Sequence, residues 1–69
     1  MKRIGENIRK YRKEQCLTQV QLAEKIGMSP TAVVNYESGY CDPPACRIPK
    51  IARALCVTIN ALFEGCYKD

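Results

Sequence analysis

Residues 18–30 hold a helix start, a helix stop and a second helix start, and this limits the fold more than anything else in the chain. Thr18-Gln19-Val20-Gln21 fits a capping box. The threonine hydroxyl accepts from the backbone three residues on, and the glutamine reaches back to the cap N–H. Gly27 ends that helix, since glycine enters the left-handed region at little cost. Ser29-Pro30 then restarts it, because serine is a good N-cap and proline is favoured at the first helical position. The pattern predicts two short helices joined by a tight turn. Val20, Leu22, Ala23 and Ile26 form the buried side of the first; Ala32, Val33 and Tyr36 face the core from the second, which Gly39 ends. A steeply crossing helix pair also needs a small residue at the crossing and a turn residue that tolerates positive φ. Ala23 and Gly27 supply them.

The flanking segments read as helix too. Ile4, Ile8 and Tyr11 recur at helical spacing, giving an amphipathic helix over 4–15. Tyr40-Cys41-Asp42-Pro43-Pro44 is a loop by its prolines. A fourth helix is expected over 45–55, with Ile48, Ile51, Ala52 and Leu55 on one face and Pro49 in its first turn, where a missing N–H does least harm. Thr58 caps a short fifth helix carrying Ile59, Leu62 and Phe63, closed by Gly65. The expectation is an all-α, five-helix chain without strands, and at 69 residues one domain spanning 1–69. A core of that size gives a narrow stability margin.

The formal charge of +4 is unevenly placed. Lys2, Arg3, Arg9, Lys10, Arg12 and Lys13 stand near the start of the chain against Glu6 alone. Such a run is either a solvated helix face or a surface for phosphates, and composition leaves both open. The five cysteines (16, 41, 46, 56, 66) are an odd number with no signal-like segment before them, so reduced thiols are expected rather than a disulfide framework. The closest pair, Cys41-x4-Cys46, lacks zinc spacing and there is no histidine, so no metal and no cofactor are expected. No apolar run spans a bilayer and the N-terminus is charged, which points away from a membrane and to the cytoplasm. With no histidine, no nucleophile–base pair and no phosphate-cradling glycine loop, an enzyme is not expected.

Leu17-Thr18-Gln19-Val20-Gln21-Leu22-Ala23-Glu24-Lys25-Ile26-Gly27-Met28-Ser29-Pro30 resembles the opening of the Cro and phage-repressor (XRE-type) helix-turn-helix domain. Asn35-Tyr36-Glu37-Ser38-Gly39 is similar to the close of that family's recognition helix. Asp42-Pro43-Pro44, Ile51-Ala52-Arg53-Ala54-Leu55, Val57-Thr58-Ile59 and Leu62-Phe63 match its later helices, so the likeness covers nearly the whole chain. The resemblance implies a lambda-repressor-like bundle and a regulator, in particular a repressor, that places residues 29–38 in the major groove of double-stranded DNA. By position it implies base contacts from Pro30, Thr31, Val34 and Asn35. Asn35 can pair with adenine, and Val34 can pack on a thymine methyl. It implies phosphate contacts from Gln19, which would also buttress the third helix, and from Tyr40. Arg9, Lys10, Arg47 and Lys50 are further phosphate candidates. Arg12 and Glu37 would form a salt bridge between the first and third helices. Relatives commonly dimerise, and Ile59, Leu62, Phe63, Cys66 and Tyr67 would be the homodimer patch; the alternative reading is that Leu62 and Phe63 close the core.

The chain also departs from the family. Cys16 and Cys56 stand where relatives carry glycine, so either the turns differ or strain of roughly 1 kcal/mol is tolerated. Tyr40 replaces a basic residue, and Ala45 a larger leucine. The recognition helix holds no Lys or Arg, which removes arginine–guanine pairing and points to A/T-leaning readout. Its uncharged, partly apolar face (Pro30, Val34, Tyr40) keeps a second function open, a module that binds a protein partner as an antitoxin or adaptor would. Cys41 and Cys46 flank the loop, and a reversible disulfide there would be a redox switch; the plainer reading is two thiols in a reducing compartment.

Overall fold

The computed structural model describes residues 3–66. Their helices run in the order α1 (Ile4–Glu14), α2 (Gln19–Ile26), α3 (Pro30–Ser38), α4 (Ile48–Ala54) and α5 (Ile59–Leu62), with a 3-10 turn over Ala45–Arg47 before α4. No strand occurs among the described residues. The helix expected over 45–55 is thus divided. An α-helix running through residue 45 would press the Pro49 ring against the Ala45 carbonyl, so the chain winds tighter until proline stands in the first turn of α4.

The local signals act as the sequence predicts. Thr18 Oγ1 accepts from Gln21 N at 3.0 Å, and Gln21 Oε1 accepts from Thr18 N at 2.8 Å. Ser29 Oγ accepts from Ala32 N at 3.3 Å, and Thr58 Oγ1 from Ala61 N at 3.1 Å. Each such cap contributes about 1 kcal/mol. Three helix ends close in one way, with a backbone N–H returning to the carbonyl five residues back: Leu17 to Arg12, Met28 to Ala23 and Val57 to Ala52. That closure needs a left-handed residue just before the donor. Gly27 supplies it at φ 68° after α2, but Cys16 (φ 57°) and Cys56 (φ 59°) supply it after α1 and α4. The left-handed turns are therefore kept despite the missing glycines, and they carry the strain of a Cβ, about 1 kcal/mol or more at each.

Ile4 and Ile8 of α1, Leu22, Ala23 and Ile26 of α2, Val33 and Tyr36 of α3, Ile48, Ile51, Ala52 and Leu55 from α4 and its end, and Leu62 of α5 form one buried cluster. Val20 does not join it and is 52% exposed. It lies about 200° around the helix from Leu22, off the stripe that Leu22, Ala23 and Ile26 define. Ile59 is also exposed, whereas Leu62 is fully buried, so Leu62 closes the core and cannot form a dimer patch. Tyr67 lies outside the described residues.

Two residues the sequence did not single out fix how the helices meet. A Cβ on Gly5 would overlap the carbonyl oxygen of Tyr36 and lie 3.2 Å from Glu37 Cα, so α1 and α3 touch backbone to backbone. Asn7 is buried, and its Nδ2 donates to the carbonyls of Leu62 and Glu64, each at 2.8 Å. One amide side chain thus satisfies the last carbonyl of α5 and a second just beyond the helix.

Candidate nucleic-acid interface

Glu37 holds α3 from behind. Arg12 grips its carboxylate through Nε (2.6 Å to Oε2) and Nη2 (3.1 Å to Oε1), and donates through Nη1 to the Leu17 carbonyl at 2.7 Å. Gln19 Nε2 donates to Glu37 Oε1 at 3.1 Å. One carboxylate, 4% exposed, therefore ties α1, α2 and α3 together. Such a bidentate, charge-assisted pair is strong and directional. The ion pair implied by the resemblance is present, and the buttressing role of Gln19 with it. Arg12 turns three of its N–H donors inward, while Gln19 keeps a second amide hydrogen for another acceptor.

Tyr36 and Val33 fill the inward side of α3. Burial pushes the Tyr36 hydroxyl above its ordinary range, with the neighbouring Cys41 and Cys46 adding to the rise and Arg47 opposing it. The protonated hydroxyl donates to Met28 Sδ at 3.7 Å. On the other side of α3, Pro30, Thr31 and Val34 are exposed and Asn35 is half-buried. The Asn35 carbonyl accepts from Ser38 Oγ (3.2 Å) and from Cys41 N (3.4 Å), which anchors the loop after α3 to the helix.

Arg9, Val34, Gln19 and Ser38 come together with Arg12 and Glu37 around a polar cleft of about 370 Å³. Arg9 also lines a neighbouring cleft with Glu6, Lys10, Lys13 and Glu37. Arg9, Lys10 and Lys13 are all exposed, and Lys10 Nζ lies 5.3 Å from the Tyr11 ring centroid. Tyr40 is 83% exposed beyond the end of α3. Arg47 is half-buried, and exposed Lys50 belongs elsewhere, in a groove with Lys25 and Arg53. Arg3 is held to Asp42 at 3.1 Å in an exposed pair that adds little stability. Cys16, Cys41, Cys46 and Cys56 are free thiols, and all four are exposed.

These features have relatives. The helix-turn-helix family model matches residues 8–62. The chain belongs to this family, a family of DNA-binding transcriptional regulators rather than a class of enzymes. It is 36% identical to the immunity repressor of Bacillus phage phi105 over 86% of this chain and 41% of that protein. It is 35% identical to the HTH-type transcriptional regulator YqaE of Bacillus subtilis (strain 168) over 90% of this chain and 53% of that protein. The chain thus spans about half the length of the curated relatives it matches. Among solved structures, the P22 c2 repressor bound to a synthetic operator superposes with a TM-score of 0.86 at 26% identity, covering 94% of this chain and 98% of that one. Among the described residues no helix is long and apolar enough to cross a membrane.

Proposed function

We propose that this chain works as one DNA-binding unit in the cytoplasm, a sequence-specific repressor that places α3 in the major groove. The observation that carries this is the two-sidedness of α3. Its inner side is fixed by Glu37, Val33 and Tyr36, while its outer side stays open beside the cleft holding Arg9 and Gln19. Pro30, Thr31, Val34 and Asn35 meet the bases. Arg9, Lys10 and the free amide hydrogen of Gln19 meet phosphates, with Tyr40 and Arg47 at the loop and Lys50 at α4. Selecting bound sequences from a random duplex pool tests this directly. The reading expects one enriched half-site and a log K that falls steeply with log salt. No enrichment, with a protein partner retained in a pull-down, would favour the adaptor reading instead.

An apolar groove of about 400 Å³ is lined by Ile4, Asp42, Pro43, Ala45, Ile48, Pro49, Ile59 and Phe63. Ala45 leaves it wider than a leucine would. This face, rather than Leu62, is where we place a second copy of the chain on adjacent half-sites one helical turn apart. Ile59→Asp is expected to abolish cooperative filling of paired half-sites while leaving single-site binding intact. Unchanged cooperativity would rule this face out.

A further inference from the structure

Lys25, Lys50 and Arg53 line a single groove of about 380 Å³ together with Ala54 and Cys56. All three cations are exposed, and no carboxylate lines the groove. The ion pairs among the described residues are Arg3–Asp42 and Arg12–Glu37, and neither draws on this cluster. Lys25 and Arg53 stand in the last turns of α2 and α4, where a cation suits the helix dipole. Lys50 does not. It stands in the first turn of α4, where the same dipole disfavours a cation, and Nζ lies 3.5 Å from the place of a Cβ on Gly27. Three like charges around one groove repel each other until an anion joins them.

The position of the cluster says which anion. Gly27 is the turn that feeds α3, and Pro30 and Thr31 follow it on the open side of that helix. Gln19 and Arg9 sit at the opposite end of α2. From Gln19 to Lys25 the helix axis rises about 9 Å, and side chains projecting from both ends extend that toward the ~12 Å width of a major groove. We infer that Lys25, Lys50 and Arg53 form a second phosphate-binding cluster, which grips the DNA strand across the groove from the one that Arg9 and Gln19 meet. The inference rests on the DNA-binding reading above and adds a partner strand and two residues to it. It gives a recognition helix without a cation of its own a cationic rail on either side.

The test uses the duplex recovered from the random-pool selection and the full chain carrying Lys25→Gln, Lys50→Gln and Arg53→Gln together, with Lys50→Gln alone in case the triple variant loses its helical circular dichroism. Three lost phosphate contacts lower the slope of log K against log salt by about 2.7, and one lowers it by about 0.9. The affinity gap between the triple variant and the parent then widens about sixfold for each halving of salt. Matched and scrambled duplexes weaken alike, since phosphates carry no sequence. Phosphate-ethylation interference assigns the strand: the triple variant loses its sensitive phosphates on one strand, and Arg9→Gln loses them on the other. A steep parental slope that the variant keeps overturns the cluster and leaves DNA binding standing. Losses that fall on the same strand as those of Arg9→Gln overturn the two-rail arrangement. A flat parental slope shows that the DNA-binding reading itself has failed, and the inference with it.

Discussion

The two sides of α3 are built on opposite terms. The inward side is crowded and charged: Tyr36 and Val33 are buried, Gly5 of α1 touches its backbone, and Glu37 holds two partners. The outward side offers Pro30, Thr31, Val34 and Asn35, with no charge among them. Its electrostatic attraction comes from neighbouring helices. A helix held this firmly need not be ordered on binding, so it loses little entropy when it docks. Substitutions inward should therefore act on stability, and substitutions outward on choice of sequence.

The largest break in that contrast is expected from Gly5→Ala. The new Cβ meets backbone, which cannot rotate away. A loss above about 4 kcal/mol, seen as an unfolded chain or a collapsed urea midpoint, is expected; a midpoint near that of the parent would show that α1 and α3 can separate at little cost. Glu37→Gln comes next, at about 3–5 kcal/mol, because it leaves the Arg12 guanidinium without its counter-charge in a buried site. Urea titration measures it, and Arg12→Met made together with Glu37→Leu should recover much of the loss. Asn35→Ala should leave stability within about 0.5 kcal/mol while removing roughly 1–3 kcal/mol of discrimination at one base position. Equal weakening on every sequence would place Asn35 among the phosphate contacts instead. Cys16→Gly and Cys56→Gly should each stabilise by up to about 1 kcal/mol, since they relieve positive φ outside α3, and Cys16→Gly should leave operator affinity unchanged. Smallest of all is the effect of oxidation state: adding or removing reductant should not shift operator affinity, and a shift reversed by Cys41→Ser would revive the thiol switch.

What the sequence made legible was what is local. Thr18, Gly27, Ser29 and Thr58 act on groups within a few residues, so their pattern is written along the chain. The Arg12–Glu37 pair spans 25 positions and was reached only through the resemblance. Gly5 and Asn7 went unread because their partners lie far along the chain, in α3 and at the end of α5. Gly5 did leave a trace: a glycine inside an amphipathic helix costs about 1 kcal/mol against alanine and asks for a packing reason. Val20 was misplaced because an apolar residue in the first turn was counted by type rather than by its angle on the helix. Lys25 and Arg53 drew no reading from the sequence, and only the fold gathers them with Lys50 around one groove.

The amide of Asn7 also bears on the order in which the molecule assembles. α5 is four residues long, too short to persist alone, and its far end hangs on a side chain 55 positions earlier. Closing so long a loop has a large entropic cost, repaid only when Leu62 seats in a core already formed. The α2–α3 pair, whose contacts are local, can organise first and α5 last. Asn7→Ala should then speed unfolding far more than it slows refolding in stopped-flow denaturant jumps; a slowed refolding limb would place this junction in the folding nucleus. On a ribosome, α3 would take shape before the clasp at the end of α5 has been made.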